Sequence, residues 1–158
     1  MRSWLRAGCA GFSSTATPGA DNVDHVHASQ PQGETVLLDA AARAATFAYA
    51  PYSNFTVGAA LLTTGGQMFT GCNVENAAFG ETICAERNAV TTMVAAGLRE
   101  IDTIAVVGGE GPCWPCGACR QVLAEFGCRR VVVAGPDGPL EVAFTDLLPH
   151  SFGGPGNR

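Results

Sequence analysis

The sequence contains no lysine, and its nine basic residues are all arginine. The formal net charge is -5 at pH 7, and apart from Arg129-Arg130 the arginines are scattered along the chain. A protein that binds nucleic acid needs clustered basic side chains to neutralise phosphates. The composition therefore opposes a nucleic-acid partner and favours a small substrate with little or no charge.

Long apolar runs are also missing. No segment approaches the ~20 consecutive apolar residues that a transmembrane helix requires, so we expect no contact with a membrane. The 158 residues suit a single domain. The seven cysteines are an odd number, and they cluster instead of spreading as a disulfide framework does. These features favour a reducing, cytoplasmic setting.

Residues 1–32 are rich in Ser, Thr, Gly, Ala and Pro and lack apolar periodicity. Such a composition buries too little apolar surface to fold, so we expect a disordered N-terminal extension. Arg2 and Arg6 precede the first acidic residue, which faintly resembles an organelle transit peptide. A plain tail is the favoured interpretation, and residues 33–158 form the predicted folded domain.

Apolar periodicity predicts helices and strands in alternation along that domain. Helices are expected at 34–50, which Pro51 would end, and then at 84–97, 115–126 and 146–148. Strands are expected at 55–63, 67–72, 101–107, 130–134 and 140–144. The order α-β-β-α-β-α-β-β predicts an α/β fold of three layers, with a mixed five-stranded sheet flanked by helices.

Two short stretches carry most of the chemistry, Cys84-Ala-Glu-Arg87 and Pro115-Cys-Gly-Ala-Cys-Arg120. Three thiolates can hold a zinc ion and leave its fourth tetrahedral position open for water. A carboxylate two residues from the first thiol, Glu86, can move the proton of that water. Cys-x-Glu followed by Pro-Cys-x-x-Cys is a signature of zinc nucleobase deaminases.

The spacing of these residues predicts how they meet. Cys116 and Cys119 share a face on the first turn of a helix that Pro115 can start. Cys84 lies at the start of another helix, and Glu86, about 200° further round, can still reach an ion beyond the helix end. We therefore expect two helix N-termini to converge on one zinc ion per chain, where their dipoles favour thiolate.

Other interpretations of the thiols stay open at this point. Cys113 stands three residues before Cys116, so it could replace Cys119 as a ligand or complete a structural site with four thiolates. A redox pair would leave Cys84-Ala-Glu unexplained. Pro115, as the start of the helix, favours Cys119 over Cys113.

The chain resembles the cytidine deaminase family, in its small three-cysteine form, over roughly residues 36–152. Besides the two zinc stretches, three segments carry the resemblance: Ala50-Pro-Tyr-Ser-Asn-Phe-Thr-Val-Gly-Ala-Ala60, Gly71-Cys-Asn-Val-Glu-Asn-Ala77 and Leu147-Leu-Pro-His-Ser-Phe152. Each segment is weak alone, and their order and spacing together are specific.

The resemblance implies a role for each matching residue. Zinc ligands are implied at Cys84, Cys116 and Cys119, with Glu86 as the catalytic proton shuttle and Arg87 bonded to ligand sulfur. Substrate contacts are implied at Phe55, Asn73, Val74, Glu75 and the backbone of Ala85. A homotetramer is also implied, in which each site borrows residues from neighbouring subunits, here Phe152 and Tyr52.

Elementary chemistry agrees with the nucleoside contacts. Two sugar hydroxyls suit a carboxylate beside an amide that donates and accepts, and Asn73 and Glu75 share a face if the strand continues. Without the zinc stretches, a turn pair would be the simpler interpretation, and Phe55 would fit the core equally well.

Cys113-Trp114 departs from the family, which has small or aliphatic residues there. Arg87 and Arg120 follow the ligands closely and could each donate to sulfur.

The sequence therefore predicts zinc-dependent hydrolytic deamination of cytidine and 2′-deoxycytidine to uridine and 2′-deoxyuridine, with release of ammonia, a step of pyrimidine salvage. Three other functions stay open: a deaminase for another aminopyrimidine nucleoside such as blasticidin S, a polynucleotide editor, and a zinc-binding interaction module without activity. The loop Asn73-Val-Glu-Asn76 favours the ordinary nucleoside, and the acidic charge opposes the editor.

Overall fold

A computed structural model describes residues 31–153 of the chain. The helices are α1 (Pro31–Ala45), α2 (Ala85–Ala95), α3 (Gly117–Glu125) and α4 (Phe144–Leu147). The strands are β1 (Val57–Thr63), β2 (Met68–Cys72), β3 (Ile101–Gly108), β4 (Arg130–Gly135) and β5 (Gly138–Ala143). The extension predicted for 1–32 lies outside the described residues, except that its last two positions open α1.

The five strands form one mixed sheet in the order β2-β1-β3-β4-β5. β1 is antiparallel to both of its neighbours, β3 and β4 are parallel, and β5 returns antiparallel to β4. A parallel pair needs a crossover connection, and α3 supplies the one between β3 and β4. The predicted five-stranded mixed sheet is confirmed.

Helices cover both faces of the sheet, which gives the three predicted layers. On one face, α1 packs Leu37 and Ala41 against Ala60, Ala105 and Val132. The larger cluster on the other face joins α2 and α3 to the sheet, through Ala89, Met93, Leu123, Leu61, Ile104 and Val131. Burial on both faces explains why β3 and β4 are almost continuously apolar.

Helix α2 lies directly against β2 at Gly71. A Cβ atom on Gly71 would stand 2.4 Å from the backbone nitrogen of Ala89 and 2.6 Å from the carbonyl oxygen of Ala85. Only glycine permits so close an approach of helix and strand. The first turn of α2 is thereby held beside the end of β2.

The prediction for the first helix is wrong at its C-terminal end. Helix α1 ends at Ala45 and not at Ala50, because Tyr49 pairs with the chain beyond β2. The Tyr49 amide donates to the carbonyl of Asn73, and the Tyr49 carbonyl accepts from the amide of Glu75. This long-range pairing replaces the last predicted turn.

The first strand also begins later than predicted. It starts at Val57, after Asn54 has taken a left-handed conformation with φ of 57°. Helix α1 begins at Pro31, three residues earlier than predicted. The remaining element ends fall within two residues of their predicted positions. No helix within 31–153 combines the length and the apolar character needed to cross a bilayer.

Candidate metal centre

Two cysteines stand at the N-caps of two helices. Cys84 caps α2 and Cys116 caps α3, both with extended backbone, and neither side chain makes a capping hydrogen bond. Their thiols can therefore project beyond the helix ends. Cys119, one turn into α3, is buried.

The three predicted thiols meet at one point. The Sγ atoms of Cys84, Cys116 and Cys119 all lie within 4.8 Å of one another, and those of Cys84 and Cys116 are 4.0 Å apart. Zinc bound at 2.3 Å in tetrahedral geometry requires sulfur–sulfur distances of roughly 3.8 Å. The donor set and its spacing therefore fit a zinc ion with three thiolates.

Among the His, Cys, Asp and Glu side chains within 31–153, only Cys84, Cys116 and Cys119 lie close enough together to hold a metal ion. Cys113 is therefore not part of this cluster. It is half-buried in the loop before α3, where its Sγ would be 3.1 Å from a Cβ atom on Gly108. A cluster of three thiols leaves the fourth tetrahedral position of a bound zinc to water or substrate. The geometry thus agrees with the choice of Cys119 over Cys113 and opposes a four-thiolate structural site.

The thiols and a guanidinium are electrostatically linked. A hydrogen bond from Cys119 lowers the pKa of Cys84 to about 5, against the effect of burial, and Arg87 adds to the lowering. The same hydrogen bond, together with burial, raises the pKa of Cys119. A metal ion bound here would require deprotonated sulfurs, so its binding would release protons from these thiols.

Arg87 contacts the first thiol. Its Nη2 atom donates to the carbonyl of Thr82 at 2.6 Å and lies 3.7 Å from Sγ of Cys84. The hydrogen bond to Cys84 raises the pKa of the guanidinium. Its Nε atom is buried without a hydrogen-bond partner, so one donor of the guanidinium remains unused.

The prediction that Arg120 could donate to sulfur is not met in the structure. Its Nε atom donates to the carbonyl of Pro115 at 2.8 Å, and Nη1 donates to the carbonyl of Leu147 at 2.9 Å. Arg120 therefore supports the chain just before Cys116 and connects it to the C-terminal segment.

Glu86 is the buried acid of the site. It lies on the first turn of α2 and is 5% exposed. Burial raises the pKa of its carboxyl, and the negative charge of Cys84 raises it further, while a hydrogen bond with Cys119 acts in the opposite direction. A buried carboxyl with a raised pKa beside a cluster of metal-ligating thiols is suited to accept and return a proton.

The predicted nucleoside loop is joined to the metal cluster by backbone pairing. Val74 and Ile83 each donate to the other's carbonyl, at 2.9 Å in both directions. Ile83 directly precedes Cys84, so the loop and the first thiol are neighbours. Val74 is more than a third exposed and pairs with Tyr49 as well.

Asn73 and Glu75 differ in their surroundings. The Asn73 side chain is buried and bonds to the backbone, with Oδ1 accepting from the Val57 amide and Nδ2 donating to the Phe55 carbonyl. The Glu75 carboxylate accepts from the Tyr52 amide at 2.8 Å and from the hydroxyl of Ser53. These bonds, that of Ser53 first, lower the pKa of Glu75.

Phe55 lies two residues before β1, with 47% of its surface exposed. Its ring rests on Gly109, where a Cβ atom would stand 2.7 Å from Cε2 of the ring. Tyr52 and Phe79, both more than half exposed, make an edge-to-face pair with centroids 6.2 Å apart. Ala85 is fully buried.

Sequence reasoning missed Ser53, which bonds to the Glu75 carboxylate and accepts from the Phe55 amide at 3.0 Å. It also missed Gln121, which bonds to the backbone of Phe152. Ser53 lies inside the Ala50–Ala60 segment that carried the family resemblance. Gln121 directly follows the Pro-Cys-Gly-Ala-Cys-Arg stretch, and nothing in its spacing pointed to a role. Phe152 is 88% exposed.

Comparison with known proteins places this geometry among deaminases. Residues 32–135 match the family described as cytidine and deoxycytidylate deaminase zinc-binding region. A cytidine deaminase from Sporosarcina psychrophila is 46% identical over 120 residues, which cover 73% of this chain and 88% of that protein. One from Mycobacterium tuberculosis is 45% identical, over 75% of this chain and 88% of that protein. The crystal structure of cytidine deaminase from Burkholderia pseudomallei superposes with a TM-score of 0.70 at 49% identity, covering 75% of this chain and 98% of that one.

Proposed function

The chain belongs to the cytidine deaminase family, and we propose that it hydrolyses cytidine and 2′-deoxycytidine to uridine and 2′-deoxyuridine with release of ammonia. One observation carries the proposal: three thiols from two helix N-termini gather within 4.8 Å, and a buried carboxyl, Glu86, stands two residues from the first of them. The relatives of this chain that are cytidine deaminases give the same reaction class.

Cys84, Cys116 and Cys119 would hold one zinc ion per subunit. When bound, zinc lowers the pKa of a coordinated water from 15.7 to about 7 and so supplies a nucleophile at neutral pH. Arg87 offsets the negative charge of the thiolates through its contact with Cys84. The dipoles of α2 and α3, whose N-termini carry Cys84 and Cys116, act in the same sense.

Glu86 moves the protons of the reaction. It accepts a proton from the attacking water and delivers it to N3 of the pyrimidine ring. The water oxygen bonds to C4, and Glu86 then carries the remaining proton of that oxygen to the exocyclic amino group. The C4–N bond breaks, ammonia leaves and the C4 carbonyl forms, so that one water is consumed for each ammonia released. Burial keeps the pKa of Glu86 above its usual value, which suits a group that must both take up and give back a proton.

The neighbouring residues orient the nucleoside. Phe55 packs against the pyrimidine, and the backbone of Ala85 contacts the base. Asn73, Val74 and Glu75 bind the sugar, and the Val74–Ile83 pairing holds this loop beside Cys84. The Glu75 carboxylate keeps acceptor sites for a hydroxyl beyond those used by Tyr52 and Ser53.

Four copies of the chain assemble into a homotetramer whose sites are shared between subunits. Large apolar side chains at the surface support this proposal, because monomers rarely leave such groups uncovered. The most exposed are Phe152 at 88%, Phe47 at 80% and Phe79 at 77%, with Tyr52 at 51%. Phe152 and Tyr52 would complete a neighbour's site.

The free thiols at all six cysteines within 31–153 support the reducing cytoplasm as the compartment.

A substrate panel tests the function. Zinc-loaded protein is incubated with cytidine, 2′-deoxycytidine, blasticidin S, free cytosine and single-stranded DNA, and loss of the amine is followed by ultraviolet absorbance and ammonia release. Turnover of the first two and little of the others is expected. Preference for blasticidin S or for the polynucleotide would replace the proposal with that function. Bound zinc without turnover would favour the interaction module.

A further inference from the structure

We infer that Gln121 is a positioning residue that holds the C-terminal segment so that the Phe152 side chain stands ready to enter a neighbouring subunit. The Gln121 amide bonds to both backbone polar groups of Phe152. Its Nε2 donates to the Phe152 carbonyl at 2.7 Å, and its Oε1 accepts from the Phe152 amide at 3.3 Å. The two bonds fix the position and the direction of the backbone at Phe152.

Arg120, the residue before Gln121 in α3, binds the same C-terminal segment. Its Nη1 atom donates to the carbonyl of Leu147 at 2.9 Å, while its Nε atom donates to the carbonyl of Pro115. Arg120 and Gln121, on the first turns of α3, thus hold the two ends of the segment 147–152 and together form a clamp on it. Because Cys116 and Cys119 lie on the same helical turns, the segment is attached to the part of the fold that carries the metal ligands.

The Phe152 side chain, whose backbone the clamp holds, is exposed to solvent. Phe152 is 88% exposed, although ordering the backbone of a terminal segment costs about 1–2 kcal/mol per residue in conformational entropy. An aromatic side chain fixed in advance binds a partner at a lower entropic cost, and burial of such a ring is a common anchor of an interface. The arrangement is explained if another molecule covers the ring.

A second copy of this chain is the occupant that the surface favours. The same chain exposes an aromatic pair, Tyr52 and Phe79, in edge-to-face contact. Tyr52 is joined through its amide to Glu75 in the nucleoside loop, so the pair borders the proposed substrate site. In a closed assembly every copy can offer Phe152 and receive one at this rim. The inference rests on the proposed function for the shared site, and the clamp itself can be measured without activity.

The test compares Gln121→Leu, Phe152→Ala and the double variant with Gln67→Leu. The last is the matched control, because it makes the same substitution at an exposed glutamine that bonds to Thr63 at the turn between β1 and β2. Sedimentation equilibrium gives the concentration at which the assembly dissociates, and kinetics on cytidine at higher concentration give KM and kcat.

We expect Gln121→Leu to raise the dissociation concentration about tenfold, as loss of two hydrogen bonds allows. Phe152→Ala removes the ring and keeps the backbone groups that Gln121 binds, and it should raise the dissociation concentration at least about tenfold. In the intact assembly KM should rise several-fold, while kcat and zinc content stay within about twofold. The double variant should be no worse than Phe152→Ala, and Gln67→Leu should match the parent protein.

The inference would be overturned if the double variant raised the dissociation concentration by the product of the two single effects. It would also be overturned if Gln121→Leu behaved like Gln67→Leu. Gln121→Glu keeps the side-chain length and replaces the donor with an acceptor, so it should weaken the assembly as Gln121→Leu does even if the leucine variant folds poorly. If the parent assembles and no nucleoside is turned over, the proposed function fails, and the dissociation measurements still decide the clamp.

Discussion

Val74 and Ile83 exchange two backbone hydrogen bonds of 2.9 Å, and Ile83 is the residue before Cys84. The loop proposed to bind the sugar and the first thiol of the metal cluster are therefore parts of one paired segment. Tyr49 pairs with the opposite side of Val74. Backbone pairing, which is insensitive to the identity of side chains, sets the distance between this loop and the first thiol.

Replacement of the cysteines tests the ligand set. Cys119→Ser should lose zinc and at least about a hundredfold in turnover, because Cys119 belongs to the cluster of sulfurs within 4.8 Å. Cys113→Ser makes the same change three residues before Cys116 and should keep one zinc per chain. Metal analysis of the purified variants gives the answer. Loss of zinc in Cys113→Ser, with zinc retained in Cys119→Ser, would reverse the assignment.

The contact between Gly109 and Phe55 predicts an effect on substrate binding. In Gly109→Ala the new methyl group would overlap the Phe55 ring, at 2.7 Å from Cε2, and displace it. KM for cytidine should rise about tenfold or more, since a shift of about 1 Å in a positioning group has large effects.

Gly97→Ala separates this effect from backbone strain. Gly97 has φ of 88° with open space around a Cβ atom, while Gly109 has φ of 64°. Both alanine variants therefore carry a similar strain of about 1 kcal/mol, and both should melt at lower temperature. An equal rise in KM for the two variants would show that strain, and not the Phe55 ring, is responsible.

Much of the site could be predicted because its chemistry is local in sequence. Cys84 and Glu86 are two residues apart, and Cys116 and Cys119 are three residues apart. This spacing alone places each pair at the start of a helix. The five strands and the mixed character of the sheet followed from short apolar segments and their alternation with helices. These features depend on neighbours along the chain.

The features that sequence missed depend on contacts between distant segments. Helix α1 stops at Ala45 because Tyr49 pairs with residues about 25 positions away, which apolar periodicity does not detect. Arg120 follows a ligand in sequence, yet it bonds to the carbonyl of Leu147 and not to sulfur. The clamp of Gln121 on Phe152 was missed for the same reason, since a polar residue on a helix does not reveal its partner.

A half-buried ion pair between β3 and β4 predicts a pH dependence of stability. Asp102 accepts hydrogen bonds of 2.7 Å from both Arg130 and Thr103. Burial alone would raise the pKa of Asp102, and the bonds from Arg130 and Thr103 outweigh it, so that the pKa is lowered. The folded state thus favours the ionised carboxylate. The resulting stabilisation is present above the unfolded pKa of about 3.9 and is lost as pH falls through the lower folded pKa.

Asp102→Asn should therefore lower the free energy of unfolding by about 1–2 kcal/mol at pH 7. The difference from the parent should be smaller at pH 3, which lies below the unfolded pKa of about 3.9, because part of the stabilisation by the charge is lost there. Urea unfolding at both pH values measures it, with Asp39→Asn on the exposed side of α1 as the control. An equal difference at pH 7 and pH 3 would contradict the role of the charge.

The most direct test of the central claim is the turnover of Glu86→Gln on cytidine, measured together with its zinc content. Glutamine keeps the size and the buried position of the side chain, so one zinc per chain and a near-normal melting temperature are expected. Proton transfer is lost, and kcat should fall about a thousandfold or more. Glu81→Gln, which changes an exposed carboxylate nearby, should keep full activity. Near-normal turnover by Glu86→Gln with zinc bound would contradict the assignment of Glu86 as the proton shuttle.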